Sequence, residues 1–119
     1  MKENIIQQKS HTFAIKIIEL YRHLTTVKKE FVLSKQLLRS GTSVGANVEE
    51  AIGAQSKKDF ISKLSIAYKE VRETRYWLSL LSESGYLTQK ELIPILDGCE
   101  EILKIIGKIQ KTSKENNTN

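Results

Sequence analysis

The chain has 119 residues, which is the usual size of one domain and long enough to bury a core without a disulfide or a structural metal. Its 39% hydrophobic and 28% charged residues are ordinary globular content, and no apolar run is long enough to span a bilayer. One proline and six glycines are few for a β-rich chain, so the composition favours long helices.

The chain also shows no signal for export. Its first residues form a mixed polar segment rather than an apolar signal region. The one cysteine, Cys99, has no partner for an internal disulfide, so nothing indicates an oxidising compartment. We therefore expect a cytoplasmic protein with no membrane partner.

The first predicted helix runs from about Asn4 or Ser10 to about Thr26. Its apolar residues are separated by alternating steps of four and three, which keeps one face turned inward. These residues are Phe13, Ile17, Leu20, Leu24 and Val27. The segment 28–30 has no apolar residue to bury and is predicted to be a connection.

The second predicted helix starts near Ser34, whose hydroxyl can cap free backbone N–H groups, and ends at 53–54. Its middle holds Gly41 and Gly45, each of which costs about 1 kcal/mol relative to alanine. We predict a helix because the apolar periodicity continues through this block; a loop is the alternative. The two glycines leave a flat strip that another backbone can approach closely, so we assign both to an interface between copies.

Three polar residues of the second helix share one side. Ser43, Asn47 and Glu50 follow one another at steps of four and three. Their candidate partners on the neighbouring helix are Lys69, Arg72 and Arg75. Such a network gives specificity to an interface within or between chains, so we assign Asn47 and Glu50 to the oligomer interface. An unrecognised enzyme site around the same two residues is the alternative.

Two capping boxes open the third and fourth helices. Ser56 and Asp59 have the spacing of the first box, and Thr88 and Glu91 have the spacing of the second. Gly85 follows the third helix and is well placed to take a left-handed conformation. The sequence therefore predicts where both helices begin and where the third one ends.

The fourth helix carries Pro94 beyond its first turn, where proline removes one hydrogen bond, so we expect a kink or a delayed start. The helix should end at about Lys111, so that residues 1–112 form the bundle and 113–119 a disordered polar tail. The predicted connections are short, at 27–33, 54–56 and 85–88. Short connections make neighbouring helices antiparallel, so we predict an all-α, up-down-up-down four-helix bundle.

The fourth helix is apolar over roughly half of its circumference, which is wider than the usual stripe. The residues concerned are Leu92, Ile95, Leu96, Cys99, Ile102, Leu103, Ile105, Ile106 and Ile109. Helix three adds Trp77 beside its main stripe. Because exposed apolar surface marks contact sites, we predict self-association that includes Trp77. The alternative is that a single bundle buries all of this surface.

The sequence offers little that could carry catalysis. The two histidines lack the Glu-x-x-His spacing of metal-binding bundles, so we predict no metal and no cofactor. The arginine that precedes the histidine of helical ribonucleases is absent before both His11 and His23. Cys99 lies on the apolar stripe, where a packed core thiol is expected rather than a nucleophile. We therefore predict that the protein is not an enzyme.

The positive charge of the chain is unevenly placed. The net charge is +5, and residues 1–45 hold eight Lys or Arg against three acids, whereas 46–119 hold eleven of each. The candidate contacts to nucleic acid are Lys28, Lys29, Lys35, Arg39, Lys104, Lys108 and Lys111. A basic surface attracts phosphate backbones or an acidic partner. Solvation alone explains the basic half equally well, and a helix dipole explains the last three lysines if the helix ends beside them.

Three blocks of the sequence closely resemble one known family. They are 33–51 (LSKQLLRSGTSVGANVEEA), 56–64 (SKKDFISKL) and 69–78 (KEVRETRYWL). The family is that of the four-helix-bundle proteins encoded in intervening sequences of 23S ribosomal RNA genes. The resemblance covers about residues 9–112, and the glycine-rich block is its most specific part.

The resemblance implies a bacterial cytoplasmic bundle that assembles into a ring of five like subunits. It also implies kinship with the accessory proteins of diversity-generating retroelements, which are similar basic bundles that work with a reverse transcriptase and nucleic acid. No catalytic residues are assigned in the family, so none is carried over. We expect a homo-oligomer that contacts RNA, DNA or a protein that handles them; a pure protein-interaction scaffold is the alternative.

Overall fold

The computed structural model of the chain describes residues 4–117 and contains four helices joined by short connections. They are α1 (Ile5–Thr26), α2 (Leu33–Ile52), α3 (Lys57–Glu83) and α4 (Gln89–Asn117). Within these residues no segment is a strand, so the predicted all-α class is confirmed.

Consecutive helices run in opposite directions. Gln110 of α4 donates to Ser65 of α3 at 2.7 Å, and further along α3 the side chain of Arg75 reaches back to Glu100. Each helix packs against two others, in the order α1, α2, α3, α4 and back to α1. The result is an up-down-up-down bundle measuring 52 × 24 × 21 Å, as predicted.

The first helix begins at the earlier of its two predicted starts. The side chain of Asn4 accepts a hydrogen bond from the Gln7 N–H at 3.0 Å, which is the normal geometry of an N-cap. Ser10 is buried inside the helix, where its hydroxyl donates to the Gln7 carbonyl at 3.2 Å. The helix ends at Thr26, as the periodicity predicts.

A carboxylate, rather than the predicted hydroxyl, caps the start of α2. Glu30 is buried, and its two oxygens accept from the backbone N–H groups of Val32, Leu33 and Ser34 at 3.1, 3.0 and 2.7 Å. The Ser34 hydroxyl instead donates to the Glu30 carbonyl at 2.7 Å. The prediction that Ser34 caps the helix is therefore wrong, because an acidic side chain from the connection satisfies the free N–H groups.

The connection before α2 has a well-defined conformation for the same reason. Burial by itself raises the pKa of the Glu30 carboxyl, but the three backbone hydrogen bonds outweigh it and hold that pKa below the ordinary 4.5. Lys29, one residue earlier, has a left-handed backbone with φ 57°. The ionised carboxylate also lies at the positive end of the α2 dipole, which favours the charged form.

The glycine-rich block of α2 is helical, so the loop alternative is wrong. A Cβ at Gly41 would lie 2.7 Å from Cγ2 and 3.1 Å from Cβ of Ile17, and one at Gly45 would lie 3.4 Å from the Ser10 carbonyl oxygen. The strip is therefore covered by α1 of the same chain, with the Ile17 side chain on Gly41 and the Ser10 backbone beside Gly45. Gly41 is buried by this packing, which corrects its assignment to an interface between copies, whereas the assignment of the half-buried Gly45 stays a prediction.

The helix termini around α3 and α4 follow the predicted capping residues. The Asp59 N–H donates to the Ser56 hydroxyl at 3.0 Å. In the second box the Glu91 N–H donates to the Thr88 hydroxyl at 3.2 Å, and the Thr88 N–H donates to the Glu91 carboxylate at 2.8 Å. Gly85 has φ 86°, so the left-handed residue after α3 is confirmed.

The fourth helix starts directly after its predicted capping residue Thr88 and ends later than predicted. It begins at Gln89 and contains Pro94, so the delayed start is wrong. It continues to Asn117, so the expected end at about Lys111 is wrong and residues 113–117 of the expected polar tail are helical. Residues 118–119 of that tail lie outside the described residues.

Most of the wide apolar face that the sequence predicts on α4 is buried in the core. Of the wide apolar face of α4, Leu92, Ile95, Cys99, Ile102, Leu103 and Ile106 are buried, and Leu96, Ile105 and Ile109 pack partly buried against the core. A single bundle therefore buries most of this face, and self-association through the part that stays exposed remains a prediction.

Candidate nucleic-acid interface

The three lysines predicted on α4 form one row on the outside of the bundle. Lys104, Lys108 and Lys111 are all exposed and share one side of the helix. Within residues 4–117, no acidic side chain forms an ion pair with any of them at 4.0 Å or less. We call these three residues the α4 lysine row.

The helix dipole does not account for the α4 lysine row. That interpretation required the helix to end beside Lys111, whereas α4 continues to Asn117 and Lys114 is the basic residue of its last turn. The influence of the dipole falls off within the last turn, so Lys104 and Lys108 in particular lie too far from the end. Within the described chain the row has no structural partner.

The other predicted lysines lie at the opposite end of the bundle. Lys28 and Lys29 belong to the α1–α2 connection, and Lys35 lies in the first turn of α2. The start of α4 is at this same end, because His23 Nε2 lies 2.8 Å from a Glu91 carboxylate oxygen. The α4 lysine row is at the far end of that helix, so the structure does not bring the two lysine groups together within one chain.

Arg39 forms ion pairs with α3. Its guanidinium lies 3.6 Å from the Glu70 carboxylate and forms a second ion pair with Glu73. It also donates from Nε to the Gln36 side chain at 3.1 Å. Its charge is thus compensated by α3, and its role as a nucleic-acid contact stays a prediction.

The predicted polar network between α2 and α3 is wrong within the described chain. The Asn47 amide donates to the Ser43 carbonyl of its own helix at 2.9 Å, and Glu50 is exposed. The two helices are joined instead by a buried contact of 2.9 Å between the hydroxyls of Thr74 and Ser40. A role for Asn47 and Glu50 between copies stays a prediction.

Trp77, also assigned to the oligomer interface, packs partly buried against the core. Its Nε1 donates to the Glu73 carboxylate at 2.9 Å, and its ring meets the ring of Tyr76 edge-on, with centroids 5.2 Å apart and planes at 61°. Tyr76 itself is 56% exposed. The indole is thus fixed within the bundle, while the neighbouring phenol ring faces solvent.

A shallow, open concavity lies on this outer side of α3 and is lined by residues of that helix. Its lining residues are Lys69, Arg72, Glu73, Arg75, Tyr76 and Ser79. Lys69 and Arg72 are exposed, and among the described residues neither forms an ion pair, whereas Arg75 pairs with Glu100 of α4. Sequence reasoning missed this site, although the steps of three and four from Lys69 to Arg72 to Tyr76 do indicate one helix face.

A second concavity separates α1 from α4. It has a volume of about 230 Å³, with Phe13 and Ile95 among its lining residues and Lys9 and Lys16 beside them. Lys9 forms an ion pair with Glu101 at 3.3 Å, so part of the local positive charge is compensated.

Groups with reactive chemistry are few in the described chain. Burial raises the pKa of the Cys99 thiol to about 12, so it is protonated at neutral pH and behaves as the predicted core residue. Within residues 4–117 no group of three or more His, Cys, Asp or Glu side chains is placed to hold a metal ion. None of the described helices combines the length and apolarity that crossing a bilayer requires.

The fold defines the class of protein, which is a small antiparallel four-helix bundle. The family model for the 23S rRNA-intervening sequence protein matches residues 2–108, and the chain belongs to this family. It is similar to a Bacteroides thetaiotaomicron protein of unknown function from the S23 ribosomal protein family. The two chains are 50% identical, with a TM-score of 0.90 over 93% of this chain and 99% of that one. A comparison with curated proteins finds no match.

Proposed function

We propose that the protein is a non-enzymatic, homo-oligomeric bundle whose basic surface contacts nucleic acid or a protein that handles nucleic acid. The observation that carries this proposal is the α4 lysine row, which is exposed and without an acidic partner in the described chain. Lysines that neutralise phosphates release condensed counterions, and this release supplies much of the affinity for a nucleic-acid backbone. An uncompensated row of cations is suited to that use.

Self-association would make these weak contacts effective. We propose the ring of five subunits that the family resemblance implies, so that each assembly carries five copies of the row. Contacts that are weak singly then add, because a second contact on a linked strand forms at a high effective concentration. The family name refers to 23S rRNA, which makes ribosomal RNA the first nucleic acid to test.

The surface best suited to contact between copies is the α1–α2 connection. Val27, Phe31 and Val32 are 63%, 61% and 73% exposed, which is unusual for three large apolar side chains so close in sequence. The Glu30 carboxylate holds this segment in place through its three backbone hydrogen bonds. We call Val27, Phe31 and Val32 the connection patch, and it replaces the glycine strip as the proposed interface.

Light scattering on the purified chain tests the assembly. The wild type should have the mass of an oligomer, and Phe31→Ser should lower that mass because it removes an aromatic contact. Ile15→Ser is the matched control, since Ile15 is 45% exposed on α1 and outside the connection patch. A wild type that stays monomeric at high concentration would contradict the assembly.

Titration of labelled ribosomal RNA and single-stranded DNA at several salt concentrations tests the binding. The affinity should fall steeply as salt rises, since phosphate neutralisation releases counterions. Absence of binding at low salt, or an affinity indifferent to salt, would reject the contact with nucleic acid.

The connection patch also favours a second candidate function, a protein-interaction scaffold. Its apolar side chains lie beside Lys28 and Lys29, a combination that suits a partner with apolar and acidic residues. Copurification from the native host distinguishes the two functions: a single protein partner retained after nuclease treatment supports the scaffold, and loss of the partner with the nucleic acid supports the first proposal.

A further inference from the structure

We propose that the outer concavity of α3 binds unpaired nucleotides, with a base stacked on Tyr76 and phosphates held by Lys69 and Arg72. This inference rests on the proposed function and deepens it, because it names single-stranded nucleic acid as the ligand and places a second contact surface apart from the α4 lysine row. The inference is based on the residues that line the concavity, on their exposure and on their ion pairs.

The aromatic ring has the setting that stacking requires. Tyr76 is 56% exposed, so more than half of its surface is open to a ligand. The ring also makes a T-shaped contact with Trp77, which is itself anchored by the hydrogen bond to Glu73. Because the contact with Trp77 restrains the Tyr76 ring, the ring loses little conformational freedom on binding. Stacking on aromatic side chains is a major part of the affinity for single strands.

The charges around the ring leave two cations free. Arg75 pairs with Glu100, and Arg39 and the Trp77 N–H compensate the Glu73 carboxylate that lines the same concavity. Lys69 and Arg72, by contrast, form no ion pair within residues 4–117. The concavity therefore offers two uncompensated cations and one open aromatic ring on a single helix face.

The dimensions of this face match a short stretch of strand. From Lys69 to Tyr76 the helix rises by about 10 Å, at 1.5 Å per residue. A strand lying along α3 can thus place one base on the ring while the preceding backbone phosphates reach the cations. Bases inside a duplex are stacked on each other and paired, so the ring cannot reach their faces. The geometry consequently favours single strands over duplexes.

The single tryptophan of the chain gives a direct readout of this site. Because the Trp77 ring lies 5.2 Å from the Tyr76 ring, a base stacked on Tyr76 should change the tryptophan emission. Oligouridine titrated into the full-length protein should shift or quench that emission to saturation. A blunt RNA duplex at the same nucleotide concentration should leave it unchanged.

Variants of the same residue test the stacking. Tyr76→Leu should weaken oligouridine binding by at least about fivefold, since a stacked base contributes that much or more. Tyr76→Phe keeps the ring and should bind as the wild type does, which also separates stacking from loss of the fold. The double variant Lys69→Gln, Arg72→Gln should reduce the salt dependence of the affinity.

The outcomes separate the inference from the proposed function. Wild-type protein that binds neither RNA nor DNA at low salt overturns both. Binding that is equal in Tyr76→Leu and the wild type, with an unchanged Trp77 emission, overturns the α3 site alone and leaves the α4 lysine row as the contact. Tighter binding of duplex than of oligouridine also overturns the α3 site.

Discussion

The glycine-rich block of α2 and the lysine row of α4 are opposites in how the fold uses them. Glycines disfavour a helix, and three like charges on one helix side are not required for folding. From the sequence alone, both segments are therefore assigned to contacts outside the chain. The structure turns the first inward, where Gly41 receives Ile17 of α1, and leaves the second outward with no partner among the described residues. An unusual motif can thus be fully explained by the fold, and function is better sought in groups that the fold leaves uncompensated.

Substitution of Gly41 should produce the largest loss of stability. Gly41→Leu places a Cβ 2.7 Å from Ile17 Cγ2 and 3.1 Å from its Cβ, which is too close for rotation of the Ile17 side chain alone to relieve. We expect a loss of about 3 kcal/mol, the upper range for overpacking in a core. Urea denaturation followed by circular dichroism measures it.

Gly45 provides the matched control for that substitution. A Cβ there lies 3.4 Å from the Ser10 carbonyl oxygen, an ordinary contact, and alanine is the better helix former by about 1 kcal/mol. Gly45→Ala should therefore be neutral or slightly stabilising. Equal losses of stability in Gly41→Leu and Gly45→Ala would contradict the tight packing of Ile17 against Gly41.

Removal of the Glu30 carboxylate should have the next largest effect. Glu30→Ala leaves three backbone N–H groups at the start of α2 without their acceptor, and we expect a loss of about 2 kcal/mol. Ser34→Ala removes only the hydroxyl that donates to the Glu30 carbonyl and should cost less. A larger loss of stability in Ser34→Ala than in Glu30→Ala would show that the Ser34 hydroxyl, and not the Glu30 carboxylate, caps the helix.

The same carboxylate predicts a pH dependence. The pKa of Glu30 in the folded state is below the ordinary 4.5, so its stabilisation is complete above pH 4.5 and is lost as the pH falls through the folded-state pKa. Glu30→Gln cannot titrate, so its stability deficit relative to the wild type should shrink in that acidic range. A deficit that stayed constant down to acidic pH would show that the ionised form contributes nothing.

The buried hydroxyl contact between α2 and α3 should matter less. Thr74→Val removes the hydroxyl that lies 2.9 Å from Ser40 Oγ and 2.8 Å from the Glu70 carbonyl. We expect a loss of about 1 kcal/mol, typical of one buried hydrogen bond. Thermal unfolding of Thr74→Val beside Thr74→Ser, which keeps the hydroxyl, separates the bond from the packing of the methyl group.

Much of the fold was predictable because its signals are local. The capping boxes at Ser56 and Thr88 place donor and acceptor three residues apart, and the left-handed Gly85 needs no distant partner. The end of α4 was predicted too early because its last residues are polar, and polarity does not by itself stop a helix. The Glu30 cap was missed because an acidic residue next to two lysines in a connection is expected to be exposed, whereas Glu30 is buried.

The candidate site was predictable only in part, since exposure depends on contacts between helices. The α4 lysine row could be read from its spacing, but Arg39 could not be separated from it until Glu70 and Glu73 of α3 were seen beside the guanidinium. Likewise, sequence alone does not show that Trp77 is held within the bundle while Tyr76 remains open.

Neutralisation of the α4 lysine row should have the smallest effect on stability. The triple variant Lys104→Gln, Lys108→Gln, Lys111→Gln alters exposed side chains that have no ion-pair partner in residues 4–117, so the urea midpoint should not change measurably. A clear loss of stability would mean that the fold uses the row after all.

The most direct test compares how salt affects nucleic-acid binding by the wild type and by this triple variant. The slope of log K against log salt should become shallower by about 2 for each subunit whose three lysines engage a single strand, since each neutralised phosphate contributes about 0.7. Weaker binding with a shallower slope is the expected result. An identical slope and affinity in the two proteins would contradict the assignment of the row to nucleic acid.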